Sequence, residues 1–159
     1  MGKNVAEFLK ENNIPFEEIK HNEVFTMEDM AREGLYDKCT PCKNLFLRDA
    51  KGKRHFIVTA LDSSFIDLKL LGEKIGTKLS FASEGRVKKY LGSFSGCVSP
   101  FGIINDEEHS VTVILDEGLK GKYNLGLHPN ENTSTFVISQ TALVEFIKLM
   151  GNDWEYHKF

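Results

Sequence analysis

Apolar residues recur along the chain with two different spacings, and each spacing predicts a different kind of element. At the N-terminus Val5, Phe8 and Leu9 lie three to four residues apart in "MGKNVAEFLKENN", which predicts an amphipathic helix. The same helical spacing returns in "TALVEFIKLMG" near the C-terminus, at Leu143, Phe146, Ile147 and Met150. Both ends of the chain are therefore predicted to be helical.

Between these ends, short segments rich in β-branched and aromatic residues predict strands. "SVTVILDEGL" is the clearest of them, because its β-branched residues are the most dense. "NLFLRDAKGKRHFIVTALD" predicts a hairpin, in which Gly52 can supply the positive φ that such a turn needs. The other predicted strands are "IPFEEIKH", "KLSFAS", "YNLGLH" and "STFVIS".

Three further helices are predicted from periodicity and capping residues. In "TMEDMAREG", Thr26 and Asp29 have the spacing of a capping box and Gly34 ends the helix. Two more helices are predicted at residues 65–76 and 84–91, with Ser83 as the cap of the second. Strands and helices alternate irregularly and hairpin partners are adjacent, which favours an α+β domain with a mixed, largely antiparallel sheet flanked by helices.

The length and composition are typical of one globular domain. The chain has 159 residues, 41% of them hydrophobic and 27% charged, with no repeat or linker that would divide it. No apolar stretch approaches the roughly 20 residues that span a bilayer, and no secretory signal is visible, so we expect a cytoplasmic protein without a membrane partner. Three cysteines, an odd number, also favour a reducing compartment.

The charge distribution leaves nucleic-acid binding open. A net charge of −3 argues against binding driven by net charge alone. One region nevertheless concentrates basic residues against only Glu73 and Glu84, and it contains Lys69, Lys74, Lys78, Arg86, Lys88 and Lys89. These residues form either a solvated helix surface or a patch that binds phosphates, and composition alone favours the solvated surface.

Cys39 and Cys42 form a C-x-x-C pair directly before a predicted strand. A structural zinc site needs four ligands, and no second C-x-x-C or H-x-x-x-H follows, although Cys97 is a distant third candidate. A redox role would need a lowered thiolate pKa, usually at a helix N-terminus, whereas Pro41 leads this pair into a strand. Unremarkable free thiols are favoured over metal or redox chemistry, and we expect no metal and no cofactor.

Three other features are candidates for a binding site, each with an ordinary structural alternative. Lys43 precedes an apolar strand, where it either binds a phosphate or extends its ammonium group to solvent. His128 stands at a strand end before Pro129, where a sheet can present a side chain to a ligand or simply bury a histidine. The loop "GCVSPFG" is either a turn or a place where a ligand approaches backbone N–H groups. P-loop, dinucleotide-binding and serine-hydrolase motifs are absent.

Together these segments resemble a known family more specifically than any one of them does. "KNLFLRD", "FIDLKLLGEKIGTKLSFAS", "LGSFSGCVSPFGIIND", "VTVILDEGL" and "LHPNENTSTFVIS" follow one another in the order and spacing of the YbaK/prolyl-tRNA-synthetase-associated editing domains. The resemblance extends over nearly the whole chain and is strongest to the freestanding ProX-type members, which remove alanine from mischarged tRNA(Pro). It implies a barrel-like mixed sheet.

The resemblance also implies site residues. Lys43 matches a lysine that the family requires for deacylation and that is thought to hold the tRNA 3′ end, and Asn44 is its neighbour in the motif. His128 matches the histidine of an "HP" motif beside the pocket. The family's G-x-x-x-P loop, which shapes the ester site, is filled by Gly96, Cys97, Val98, Ser99 and Pro100. The family does not require the C-x-x-C pair, so Lys43 and Asn44 are the stronger candidates.

The implied function is hydrolysis of Ala-tRNA(Pro) by a monomer, with tRNA as the partner and prolyl-tRNA synthetase as a candidate second partner. An aminoacyl ester is already activated, so a positioned water and oxyanion stabilisation suffice, and no catalytic triad is needed. In the family, the free ribose hydroxyl of the terminal adenosine is thought to help place that water. Two alternatives remain: removal of cysteine, serine, threonine or 2-aminobutyrate from another tRNA, or a non-catalytic module that binds tRNA or an amino acid.

Overall fold

The computed structural model describes residues 4–24 and 26–159. The strands are β1 (Glu17–Lys20), β2 (Thr40–Arg48), β3 (His55–Leu61), β4 (Ser80–Phe81), β5 (Val111–Asp116), β6 (Leu125–Leu127), β7 (Ser134–Ile138) and β8 (Trp154–His157). The α-helices are α1 (Val5–Glu11), α2 (Met27–Arg32), α3 (Leu68–Ile75), α4 (Glu84–Leu91) and α5 (Gln140–Met150). Short 3₁₀ helices occupy Leu35–Asp37, Ser95–Cys97, Pro100–Asn105 and Glu117–Leu119.

The helices begin and end where local side-chain chemistry permits. Thr26 accepts a hydrogen bond from the backbone of Asp29 at 3.1 Å and Asp29 accepts one in return, so the predicted capping box is confirmed. Ser83 likewise accepts from the backbone N–H of Arg86 at the start of α4, as predicted. In the described part of the chain, no helix has both the length and the apolar character needed to cross a membrane.

The strands form one mixed sheet in the order β1-β7-β6-β2-β3-β5-β8, with β4 paired to β2. Four of the strand pairs are antiparallel and three are parallel, so the prediction of a mixed sheet is confirmed, although antiparallel pairing predominates only slightly. The parallel pairs join β2 to β6, β3 to β5 and β5 to β8. The hairpin of β2 and β3 was predicted, and Gly52 in its turn has φ +68°.

Each face of the sheet packs against different helices. Phe46, Ile57 and Val113 point to one face, where α1, α4, α5 and the 3₁₀ helix Pro100–Asn105 contribute buried side chains; we call this the α5 face. Leu47 and Val58 point to the opposite face, where Leu71 of α3 packs; we call this the α3 face. Side chains alternate along a strand. On β2, even-numbered residues therefore point to the α5 face and odd-numbered residues to the α3 face, and on β3 the relation is reversed.

One edge of β2 is only partly paired. β3 follows the other edge from Cys42 to Arg48. On the incomplete edge β6 pairs only with Thr40 and Pro41, and β4 pairs only with Leu47 and Arg48. Between these two short partners the sheet has an interruption beside residues 42–45, which we call the β2 opening.

Close packing holds β6 against β2 at one end of this opening. Gly126 pairs with Pro41, and a Cβ atom at Gly126 would lie 2.3 Å from the Cys39 Sγ atom. Cys39 is buried, and its thiol donates a hydrogen bond to the carbonyl oxygen of Leu35 at 3.3 Å. Glycine at position 126 therefore allows the Cys39 side chain to fill the space beside β6.

Candidate active site

Lys43 and Asn44 lie on β2 at the β2 opening, on opposite faces of the sheet. Lys43 alternates along β2 with Leu45 and Leu47, so its side chain lies on the α3 face with theirs, and it is half-buried. Asn44 lies on the α5 face, and its Oδ1 atom accepts a hydrogen bond from the Thr59 hydroxyl at 2.6 Å. This hydrogen bond across the hairpin fixes the orientation of the Asn44 side chain.

The backbone of Asn44 points into the β2 opening. In an antiparallel ladder the backbone groups of successive residues point alternately toward one edge and the other. Thr40 donates its N–H away from β3, to the carbonyl oxygen of Asn124 at 2.7 Å, and Phe46 accepts a bond from Ala82 on the same edge. Asn44 lies an even number of residues from both Thr40 and Phe46, so its N–H and C=O groups face the same edge, in the gap between β6 and β4.

His128 lies directly after the last residue of β6, at one end of the β2 opening. The parallel register pairs Thr40 with Leu125 and Pro41 with Gly126, and the pairing stops there. A continuation of the same register by two residues would bring His128 to the level of Lys43. Leu127 points to the α5 face, so the neighbouring His128 lies on the α3 face with Lys43.

Burial determines the protonation state of His128, and its hydrogen bond to Ser134 determines the tautomer. Burial lowers its pKa from the ordinary value of 6.5, and although the bond to Ser134 opposes this effect, the net shift is downward. The imidazole is therefore neutral at pH 7. Its Nδ1 atom lies 3.1 Å from the carbonyl oxygen of Ser134, which can only accept, so Nδ1 carries the proton and Nε2 is left as an acceptor.

The segment from Gly96 to Pro100 is anchored to the end of β6. Gly96 is exposed, whereas the four residues after it are buried. The Ser99 hydroxyl donates to the carbonyl oxygen of His128 at 2.6 Å and accepts from the backbone N–H of Phe101 at 3.2 Å. Ser99 thereby couples the position of this loop to the position of His128.

Two consecutive backbone amides in this loop lack a protein acceptor. Among the hydrogen bonds of the described residues, none uses the N–H group of Val98 or Ser99 as a donor. Val98 is extended, with φ −60° and ψ 127°, so the two N–H groups point in different directions and do not converge on one oxygen. Buried backbone donors are nearly always paired with protein or water, so either amide is suited to donate a single hydrogen bond to a ligand oxygen. Cys97 has a fully buried side chain and a pKa raised to about 12, mainly by burial, so it is a packing residue.

The C-x-x-C thiols lack the properties of a reactive pair. Burial raises the pKa of the Cys42 thiol to about 12, and it also raises the pKa of Cys39. Both thiols are therefore protonated at neutral pH and are poor nucleophiles. Across residues 4–24 and 26–159, no group of three or more histidine, cysteine or carboxylate side chains is placed to hold a metal ion.

The six predicted basic residues lie on α4, on α3 and in the segment after α3, and their role in tRNA binding stays a prediction. Helix α3 packs on the α3 face through Leu71, whereas α4 packs on the α5 face through Val87 and Leu91. The Arg86 guanidinium has protein partners, because its Nη1 atom donates to the carbonyl oxygen of Gly52 at 2.8 Å and contacts His55 Nε2 at 2.9 Å. The three basic residues that belong with the α3 face are Lys69, Lys74 and Lys78.

His21 also lies in this region, although no local sequence motif indicates it. His21 is half-buried, its Nε2 atom lies 2.8 Å from the Thr135 hydroxyl, and its ring centroid lies 6.3 Å from that of His128. His21 also contributes to the lowered pKa of His128. The contact arises from the pairing of β1 with β7, which joins residues more than 100 positions apart and has no local sequence signal.

The sequence of this chain is similar to a known domain family and to known proteins. The aminoacyl-tRNA editing domain family matches residues 21–146. The chain is 45% identical over 148 residues to the prolyl-tRNA editing protein ProX of Acetoanaerobium sticklandii, covering 92% of this chain and 90% of that protein. It is 35% identical over 149 residues to prolyl-tRNA synthetase associated domain-containing protein 1 of Danio rerio, covering 92% of this chain and 80% of that protein.

Solved structures share the fold at low sequence identity. A crystal structure described as that of a proposed trans-editing enzyme for prolyl tRNA synthetase superposes with a TM-score of 0.74 at 19% identity, covering 98% of this chain and 94% of its own. The hypothetical protein APE2540 also gives a TM-score of 0.74, at 15% identity, covering 96% of this chain and 97% of its own. These likenesses establish the fold.

The lowered pKa of His128 predicts a specific pH dependence of stability. A histidine whose pKa is lower in the folded state stabilises the fold fully above its unfolded value of 6.5, and this stabilisation is lost as the pH falls from there through the folded pKa. We expect the NMR titration midpoint of His128 to lie below 6.5. Denaturant unfolding should show a free energy that declines below pH 6.5.

In the His128→Gln variant this decline should be shallower. The control is His109→Gln, which replaces an exposed histidine. The decline will not vanish in the variant, because burial also lowers the pKa of His55. A His128 midpoint at or above 6.5, or equal pH profiles for wild type and His128→Gln, would contradict the neutral, buried imidazole described above.

Proposed function

The chain belongs to the aminoacyl-tRNA editing domain family, and we propose that it hydrolyses alanine from mischarged tRNA(Pro) as a freestanding enzyme. The proposal is supported by the β2 opening, which Lys43 borders on β2 and His128 borders after β6, and by the hydrogen bond that anchors the loop to His128 through Ser99. Similarity to a prolyl-tRNA editing protein over most of both chains supports the choice of substrate. We further propose that it acts as a monomer and that contact with prolyl-tRNA synthetase is not needed for hydrolysis.

The groups around the opening suit ester hydrolysis by water. Water adds to the ester carbonyl, the bond to the ribose oxygen breaks, that oxygen takes a proton, and alanine and uncharged tRNA leave. Either the Val98 or the Ser99 amide is suited to donate one hydrogen bond to the oxyanion of the tetrahedral intermediate. His128 Nε2, which lacks a proton at neutral pH, is suited to accept a hydrogen bond from the attacking water.

Lys43 has a different role in this proposal. Its ammonium group lies on the α3 face at the edge of the opening, where a point charge with three donors can bind a phosphate of the tRNA 3′ end. Binding of that phosphate would hold the ester beside the loop amides. Lys43 therefore positions the substrate, and its loss should lower the rate because a misplaced ester reacts slowly.

Discrimination between alanine and proline is a matter of size. A synthetase pocket built for proline excludes the smaller alanine poorly, since each missing methylene changes binding by only about 1–3 kcal/mol. A separate, smaller pocket that admits alanine and rejects proline solves this problem. The buried side chains of Cys97 and Val98 beside the loop amides are suited to limit the size of such a pocket.

The expected approach of the tRNA is over the α3 face. Lys43 and His128 lie on that face, and so do the lysines of α3 and of the segment after it. Lys88 and Lys89 belong to α4, which packs against the opposite face. We propose that the α3 lysines bind the phosphates of the acceptor stem and that the α4 lysines contribute little.

The decisive assay is single-turnover deacylation of a panel of charged tRNAs. We expect the wild-type protein to hydrolyse Ala-tRNA(Pro) and to leave Pro-tRNA(Pro) intact. Faster hydrolysis of cysteinyl, seryl, threonyl or 2-aminobutyryl tRNA would change the assigned substrate. No hydrolysis of any member would leave only a binding function.

In the same assay Lys43→Ala should lower kcat/KM on the order of 100-fold, because the ester is no longer held in place. The matched control is Lys51→Ala, which removes an exposed lysine from the β2–β3 turn. Circular dichroism and thermal unfolding should be unchanged in both variants. Near wild-type turnover by a folded Lys43→Ala protein would remove Lys43 from the mechanism.

Charge reversal tests the proposed direction of approach. The double variant Lys69→Glu, Lys78→Glu should weaken tRNA binding and flatten its dependence on salt, by about one unit of logarithmic slope for each phosphate that a lysine no longer neutralises. The matched control, Lys88→Glu with Lys89→Glu, makes the same change in net charge on the other face. Equal effects of the two double variants on the slope would refute an approach over the α3 face.

A further inference from the structure

Phe81 is a large apolar side chain without a structural role that would account for its position. It is the second residue of β4, and it is 62% exposed. It belongs to neither of the two apolar cores. The adjacent Ala82 holds the segment in place instead, since it packs toward the α5-face core and donates its N–H to the carbonyl oxygen of Phe46 at 2.9 Å.

The register of β4 places Phe81 on the α3 face at the border of the β2 opening. Phe81 pairs with Leu47, whose side chain points to the α3 face, and directly paired residues share a face. Lys43 lies on that same face four residues earlier on β2, about 13 Å along the strand at the usual rise per residue. Phe81 and His128 thus border the opening at its two ends.

The surroundings of Phe81 are basic and include a second aromatic residue. Lys78 is exposed three residues before Phe81, and Lys69 is exposed on α3, which covers this face. Phe65 is 79% exposed in the segment whose next residue, Ile66, packs into the α3-face core. Exposed aromatic rings among lysines are the arrangement by which proteins bind unpaired nucleotides, because every base has a π face for stacking and every nucleotide has a phosphate.

We propose that Phe81 binds an unpaired base at the 3′ end of the tRNA by stacking. This inference rests on the proposed function, since it is the acylated 3′ end that must reach the opening. The stacked base and the Lys43-bound phosphate hold the strand at two points, so that the ester is directed to the loop amides. Because aromatic stacking tolerates any base, Phe81 contributes affinity and positioning without reading sequence.

The test is a cycle that combines substitution of Phe81 with removal of the tRNA 3′ end. The probes are uncharged tRNA(Pro) transcripts, one complete and one lacking its unpaired 3′-terminal nucleotides, and affinity is measured at one fixed salt concentration. Phe81→Ala should weaken binding of the complete tRNA about five- to 150-fold, the range expected when one base no longer stacks. It should leave binding of the truncated tRNA unchanged, because the base that it stacks is already absent.

Two further variants separate stacking from apolar contact and from general surface effects. Phe81→Trp should bind the complete tRNA at least as well as the wild type, whereas Phe81→Leu should lose most of the effect. Tyr123→Ala is the matched control, because Tyr123 is 80% exposed but lies just before β6, at the end of that strand away from His128. It should change neither affinity.

Equal losses with complete and truncated tRNA, or wild-type affinity in Phe81→Ala, would overturn the proposal. The cycle uses uncharged tRNA and requires no hydrolysis. A protein that shows the predicted coupling but deacylates nothing would therefore refute the proposed function and retain the Phe81 site. A protein that deacylates Ala-tRNA(Pro) without the coupling would do the reverse.

Discussion

The candidate site depends on one constraint: β2 has a continuous partner on one edge and two short partners on the other. β6 ends after three residues, and Pro129, which lacks a backbone N–H, follows immediately after His128. β4 is only two residues long. The sheet is therefore interrupted beside Asn44, whose backbone polar groups face the gap. Groups from both faces of the sheet can meet there, which an uninterrupted sheet would prevent.

Hydrogen bonds convert this gap into a defined arrangement of donors and acceptors. Ser99 joins the loop to the end of β6, and the bond from His128 to Ser134 sets the tautomer of the imidazole. Thr59 orients Asn44 from the neighbouring strand. The proposed site consists of a backbone amide, one neutral histidine and one lysine. Such a site suits hydrolysis of an activated ester, for which positioning and charge stabilisation matter more than a strong nucleophile.

Features set by nearby residues were predictable from sequence, and features set by pairing of distant strands were not. The Thr26 capping box, the Ser83 cap and the β2–β3 hairpin each depend on a few adjacent residues. Strand β8 was missed, because its four residues are too few to give a clear alternation and it is identified by its pairing with β5. The separation of the α3 and α4 lysines depends on which face each helix covers, and helical periodicity does not reveal that. The roles of Lys43 and His128 stay predictions.

Binding of the substrate in the β2 opening can be observed by NMR, by titrating the isotope-labelled protein with a non-hydrolysable alanyl-adenosine amide and following its backbone amide resonances. We expect the largest shifts at Asn44, Val98 and Ser99, with a change in the ring signals of His128. Shifts confined to the α5 face, for example to the cleft that Phe8, Ile104 and Met150 line, would contradict it.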